Sequence, residues 1–118
     1  MRKSLLSAMV LAAVGSVTAN AAVTDAMLDN AAKDTKNVLT WGMSRDGQRH
    51  STLTQVNDKN VSKLVPAWSM SFGGEKQRGQ ESQPLIHNGK MFVTASYSRI
   101  FAVDAKTGTK LWKYEHRL

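Results

Sequence analysis

Hydrophobic and polar residues alternate most clearly between residues 83 and 114. Four short runs rich in β-branched and aromatic residues are separated there by turn-forming residues, which is the pattern of an antiparallel sheet. The predicted strands are Gln83–Ile86, Lys90–Ala95, Arg99–Val103 and Lys110–Tyr114. Asn88-Gly89, between the first two runs, is a strong signal for a two-residue hairpin. The sequence therefore predicts one four-stranded antiparallel sheet.

The stretch before this sheet is more polar and predicts a lead-in with short helices. Thr24–Asp34 is expected to form a helix capped by Thr24, and Asn60 is expected to start a helical turn that reaches Leu64. Leu64–Phe72 then alternates large and small residues and predicts a half-buried strand. We divide the chain into a lead-in at residues 22–63 and a sheet-bearing domain at residues 64–118.

Residues 1–21 have the pattern of a cleaved secretory signal. Arg2-Lys3 is followed by the apolar run Leu5–Val17 and by Ala19-Asn20-Ala21, an A-x-A cleavage site. The apolar run is shorter than the roughly 20 residues that a membrane-spanning helix needs. We therefore expect export from the cytoplasm, a mature protein that begins near Ala22 and no membrane span.

The turn after the third predicted strand reads A-x-D-x-x-T-G-x-x-x-W, from Ala102 to Trp112. Asp104 and Thr107 are residues that bond nearby backbone groups, and Gly108 can adopt a positive φ. The Trp112 indole buries a large area and is expected to dock on the turn of a neighbouring unit. One such contact per unit would join successive units.

This run resembles the tryptophan-docking motif of quinoprotein β-propellers. Gly79–Pro84 (GQESQP) and Ala95–Arg99 (ASYSR) resemble, in addition, the first blade of alcohol dehydrogenases that depend on pyrroloquinoline quinone (PQQ), in particular the soluble ethanol dehydrogenases. The resemblance covers Val38 to Leu118. It implies an all-β fold, an eight-bladed propeller, of which this chain would hold the N-terminal segment and about one blade. We therefore expect the chain to be a fragment of a longer protein.

The same resemblance implies a periplasmic enzyme that oxidises primary alcohols such as ethanol to aldehydes. In this family a carboxylate base takes the alcohol proton, hydride passes to a carbonyl of PQQ polarised by Ca²⁺, and electrons leave to a c-type cytochrome. The chain does not distinguish calcium from a lanthanide, and it leaves open whether the protein is a homodimer. The catalytic base and the metal ligands are expected in later blades, so the fragment alone is expected to be inactive.

Glu81 is the one cofactor-binding residue that we predict. It precedes the innermost strand, so it should lie near the propeller axis, where an acceptor-only carboxylate can orient a ligand. The resemblance implies that this ligand is PQQ. Gln80 and Ser82 are expected to support Glu81 or the fold. We predict no catalytic and no metal-binding residue in the chain.

Charge and composition exclude several other classes of function. The net charge is +7, but the basic residues are scattered, which is unlike the clustered footprint of a nucleic-acid-binding protein. There is no cysteine for a zinc knuckle or a thiol nucleophile, and the three histidines are far apart in sequence. Two alternatives remain. One is a non-enzymatic propeller that acts as a binding or assembly scaffold, which should lack Gln-Glu-Ser at the axis. The other is a truncated product with no function.

Overall fold

The computed structural model describes residues 22–73 and 80–116 of the 118. The predicted signal at residues 1–21 lies outside this range, so its cleavage stays a prediction, as does the domain boundary at residue 64. The described residues form a lead-in with short helices and one four-stranded sheet. None of their helices is long and apolar enough to cross a bilayer.

The lead-in begins with helix α1, Asp25–Asp29, which a 3-10 turn at Ala31–Lys33 follows. Thr24 caps α1 as predicted, because its hydroxyl accepts a hydrogen bond of 3.3 Å from the amide three residues later. The prediction of one helix reaching Asp34 is wrong, since the α-helical hydrogen bonding ends within the first turns. A second 3-10 turn, Val61–Lys63, confirms the helical turn predicted there.

The sheet confirms the four-stranded antiparallel arrangement. Its strands are β1, Leu85–His87; β2, Lys90–Ala95; β3, Arg99–Asp104; and β4, Lys110–Glu115. They lie in the order β1-β2-β3-β4, and each neighbouring pair is antiparallel. Only the strand ends differ from the prediction, and β1 begins two residues later than expected.

The lead-in covers the outer edge of β1. Val38 and Ile86 exchange two backbone hydrogen bonds of 2.9 and 2.8 Å, and the side-chain oxygen of Asn37 accepts one of 2.9 Å from the Asn88 amide. These bonds satisfy backbone groups that a bare edge strand would leave unpaired. The lead-in is thus fixed to the sheet.

Both faces of the sheet are apolar. The strand register places Phe92 opposite Ala102 and Ala102 opposite Trp112, so these residues share one face. We call this the open face; its large members are Leu85, Phe92, Ile100, Trp112 and Tyr114. The covered face consists of Met91, Val93, Ala95, Phe101 and Val103. A sheet that is hydrophobic on both faces must pack between two other layers.

The segment Leu64–Phe72 lies over the covered face. The predicted strand is wrong, because the segment forms no ladder, but the predicted alternation is correct. Trp68, Met70 and Phe72 pack against the buried side chains of the covered face, and the Phe72 and Phe101 ring centroids are 5.2 Å apart. Burial of these rings accounts for the core of the described chain.

Trp68 docks on the turn between β3 and β4. Its indole N–H donates a 3.2 Å hydrogen bond to the Ala105 carbonyl, and its ring lies against Gly108. A Cβ atom on Gly108 would lie 2.5 Å from the ring, and φ there is +74°, so only glycine fits. Trp112 instead lies on the open face, 46% exposed, with its ring 6.1 Å from that of Phe92. Its docking on a neighbouring unit stays a prediction.

The Asp104 carboxylate holds this turn in shape. One of its oxygens accepts hydrogen bonds from the Thr107 amide at 2.8 Å, the Thr107 hydroxyl at 2.9 Å and the Lys106 amide at 3.0 Å. These bonds, those from Thr107 above all, hold the pKa of Asp104 below its ordinary value. The turn that receives Trp68 is therefore built on an ionised Asp104.

We expect Gly108→Ala to destabilise the protein more than Gly89→Ala. Both glycines have a positive φ, +74° and +71°, but a Cβ atom at Gly89 meets nothing within 4 Å. Backbone strain should cost about 1 to 2 kcal/mol in each variant. The clash with Trp68 should add about 1 to 3 kcal/mol at Gly108 alone. Urea unfolding followed by tryptophan fluorescence measures both, and equal losses would show that the docking contact contributes nothing.

We expect Asp104→Asn to flatten the acid dependence of stability. The pKa of Asp104 is lower in the folded state than its ordinary value of 3.8. Ionised Asp104 therefore stabilises the fold fully at pH values above 3.8, and this stabilisation is lost as the pH falls through the pKa of the folded state. Between about pH 5 and pH 2 the wild type should therefore lose more unfolding free energy than the variant. The exposed Asp58 offers a matched control, Asp58→Asn. Parallel pH curves for wild type and Asp104→Asn would contradict the expectation.

Candidate functional site

Glu81 lies on the segment that leads into β1. Its side chain is exposed, and no residue in the ranges 22–73 and 80–116 bonds to or ion-pairs with its carboxylate. An ionised carboxylate is an acceptor-only group with two oxygens. Glu81 is therefore available to accept hydrogen bonds from a ligand, and its contact with PQQ stays a prediction.

The residues on either side of Glu81 fix which end of the sheet it occupies. The Gln80 side-chain amide donates a 2.6 Å hydrogen bond to the Thr94 carbonyl, and the Ser82 hydroxyl accepts one of 3.1 Å from the Thr94 amide. Thr94 is near the end of β2, just before the β2–β3 hairpin. Glu81 thus shares one end of the sheet with this hairpin, while the β1–β2 and β3–β4 turns meet at the other end.

The β2–β3 hairpin is an unusual turn. Tyr97 and Ser98 have φ values of +62° and +52°, a conformation that asparagine and glycine adopt more readily. The Arg99 side chain supports the turn, since it donates hydrogen bonds to the Ser96 carbonyl at 2.7 Å and to the Phe72 carbonyl at 2.8 Å. The exposed Tyr97 therefore lies at the end of the sheet where Glu81 lies.

Gln83 connects this segment to the lead-in. Its side-chain oxygen accepts a 3.2 Å hydrogen bond from the amide of Gly42, a buried residue. The adjacent Trp41 is 63% exposed, and the Arg49 guanidinium lies 4.3 Å from the centre of its ring. The loop of the lead-in is thus placed beside the segment that carries Glu81.

An oxygen-rich turn of the lead-in is held together by the hydrogen bonds of Asp34. The Asp34 carboxylate accepts hydrogen bonds from the side chain of Asn37, the Lys36 amide and the Asn37 amide, and these bonds, that from the Asn37 side chain above all, hold the pKa of Asp34 below its ordinary value. Its oxygens therefore shape a turn. Among the residues that the structure describes, no three histidines or carboxylates lie close enough together to hold a metal ion.

Residues 39–118 match the family model described as glucose/ethanol/alcohol dehydrogenase, beta-propeller domain, with the short name PQQ. The match covers more than half of the chain. The chain therefore belongs to this family, and its antiparallel sheet is part of a β-propeller domain.

Named relatives agree with this assignment. The chain is 57% identical over 101 residues to a 1-butanol dehydrogenase (quinone) of Thauera butanivorans, covering 83% of this chain and 16% of the relative. It is 64% identical over 85 residues to a quinoprotein ethanol dehydrogenase of Pseudomonas putida, covering 72% and 14%. A solved quinohemoprotein alcohol dehydrogenase of Comamonas testosteroni superposes with a TM-score of 0.69 at 37% identity, covering 80% and 14%. The chain thus spans about one sixth of their length or less.

Two residues with important contacts are not singled out by the sequence: Trp68, which docks at the end of the sheet opposite Glu81, and Thr94, which bonds to both neighbours of Glu81. The alternation of Leu64–Phe72 places Trp68 only in a half-buried strand. Trp68 precedes the sheet much as Trp112 lies at its end, and this repetition is a usable signal. Thr94 was read as an ordinary strand residue. Its hydrogen bonds to both neighbours of Glu81 are long-range contacts, and nothing in the local pattern indicates them.

Replacing Ser98 by glycine is expected to stabilise the protein by about 0.5 to 1 kcal/mol, since glycine adopts a positive φ without steric cost. Ser69→Gly is the control, because Ser69 is not among the residues with a positive φ. This variant should lose about 0.5 to 1 kcal/mol of stability, since glycine there only adds conformational freedom to the unfolded chain. Thermal unfolding compares the two. A loss of stability in both variants would mean that the hairpin is not strained at Ser98.

Proposed function

We propose that this chain provides the first blade of a periplasmic PQQ-dependent alcohol dehydrogenase, in which Glu81 contacts the cofactor. One observation carries the proposal: an exposed carboxylate, without a partner in the described residues, projects at one end of a blade that belongs to this family. The named relatives that act on 1-butanol and ethanol support a small primary alcohol as substrate.

The residues present fit a role in binding PQQ. When bound, PQQ supplies a quinone that accepts hydride from the alcohol, with Ca²⁺ or a lanthanide as a Lewis acid. Glu81 contributes an acceptor at the blade end and orients the cofactor through it. The hydrogen bonds of Gln80, Ser82 and Gln83 hold the Glu81 segment to the sheet and to the lead-in. No group of this chain is assigned to proton transfer.

The remaining parts of the proposal rest on other features. Residues 1–21 have the pattern of a secretory signal, which supports a periplasmic location. The solved relative is named a quinohemoprotein, a name that includes haem. This supports the proposal that a haem protein, a c-type cytochrome, accepts the electrons. Calcium is proposed from the family resemblance alone, with its ligands outside this chain.

Glu81→Gln in the full-length protein is expected to raise the dissociation constant for PQQ by about 10- to 100-fold, because the variant loses one hydrogen bond to a charged group. Titration of the metal-loaded apoprotein with PQQ, followed by tryptophan quenching, measures the dissociation constant. Glu115→Gln makes the same chemical change on the edge strand β4 and should leave the constant unchanged. A full-length wild type that binds no PQQ would overturn the proposed function and favour a scaffold. Unchanged affinity in Glu81→Gln would overturn the role of Glu81.

A further inference from the structure

Thr94 lies where the β1–β2 ladder has already ended. The last paired residues toward that end are Leu85 and Phe92, whereas Thr94 is two positions further along β2. In a strand, the N–H and C=O of one residue point to the same side, so both backbone groups of Thr94 face the space next to β1. The Thr94 N–H and C=O groups therefore need hydrogen-bond partners on that side, and the backbone of β1 does not reach far enough to supply them.

Side chains from both neighbours of Glu81 take the place of that missing ladder. Gln80 donates from its side-chain amide to the Thr94 carbonyl at 2.6 Å. The Ser82 hydroxyl accepts two hydrogen bonds, from the Thr94 amide at 3.1 Å and from the Thr94 hydroxyl at 3.0 Å. Every one of these contacts ends on the same residue of β2. We call this set the Thr94 clamp: Gln80, Ser82 and Thr94.

The clamp has a direct consequence for the residue between its two arms. Gln80 and Ser82 both direct their side chains at β2. Because successive side chains of an extended chain point in opposite directions, we infer that the side chain of Glu81 projects away from β2. The exposure of Glu81 agrees with this direction. The segment that carries Glu81 is bonded to β2 through side chains, whereas β1 and β2 are joined by direct backbone hydrogen bonds.

We propose that Gln80 and Ser82 are positioning residues that act through Glu81: the Thr94 clamp sets the direction of the Glu81 carboxylate toward the cofactor. This inference rests on the proposed function and decides between the two roles, support of Glu81 or of the fold, that the sequence leaves open for Gln80 and Ser82. The clamp is exposed and lies outside the ladder, so it contributes little to the stability of the sheet and chiefly fixes local geometry.

A double-mutant cycle in the full-length protein tests the clamp, with PQQ affinity as the readout. Ser82→Ala is expected to weaken PQQ binding about 3- to 10-fold, the effect of one neutral hydrogen bond, and Ser82→Thr, which keeps the hydroxyl, should restore most of it. In the Glu81→Gln background, Ser82→Ala should cause no further loss, because its effect passes through Glu81. Gln80→Ala should behave in the same way as Ser82→Ala.

The cofactor-free protein provides an independent readout. Hydrogen exchange at the Thr94 amide should become faster in Ser82→Ala and stay unchanged in Glu81→Gln, because only the former removes its partner. Ser51→Ala is the matched control: its hydroxyl also accepts from a backbone amide, that of Leu53 at 3.2 Å, but in the lead-in. It should leave both PQQ affinity and Thr94 exchange at the wild-type values.

The outcomes separate the two proposals. If Glu81→Gln weakens PQQ binding while Ser82→Ala and Gln80→Ala do not, the clamp is overturned and the proposed function stands. If Ser82→Ala weakens binding equally with and without Glu81, these residues act independently of it, which also overturns the clamp. If Glu81→Gln has no effect, the assignment of Glu81 fails and the clamp proposal fails with it.

Discussion

The contact between the Trp68 indole and Gly108 is the constraint on which the rest of the structure depends. It joins the segment before the sheet to the turn between β3 and β4, and it tolerates no side chain at Gly108. The same contact lays Met70 and Phe72 across the covered face, where the buried core of the described chain lies. A single aromatic ring thus fixes the position of the layer that packs on this blade.

The open face shows the complementary half of this arrangement. Phe92, Trp112 and Tyr114 form an apolar surface opposite the one that Trp68 covers, and β4 is exposed along its whole length. In a β-propeller each blade packs between two others, so a sheet that is apolar on both faces is the expected repeating layer. At the end of this layer, bonds from Gln80 and Ser82 to Thr94 hold the exposed Glu81 segment against β2.

Much of this was predictable from short-range patterns. The strands β2 to β4 follow from alternation and from turn residues such as Asn88-Gly89. Glu81 comes from a motif that resembles a known family, and its contact with PQQ stays a prediction. The segment Leu64–Phe72 was harder, because alternation reports which side chains are buried and does not report whether a ladder partner exists. The Thr94 clamp was not predictable, since it depends on where the β1–β2 ladder ends and on bonds between residues distant in sequence.

The structure of the full-length protein with PQQ bound, solved by crystallography, tests the central claim most directly. The account predicts a carboxylate oxygen of Glu81 within about 3.2 Å of a polar atom of PQQ, a hydrogen-bonding distance. It also predicts that the bonds from Gln80 and Ser82 to Thr94 are present in the same crystal. A Glu81 side chain directed away from a bound PQQ, or PQQ bound beyond the reach of this blade, would contradict the account.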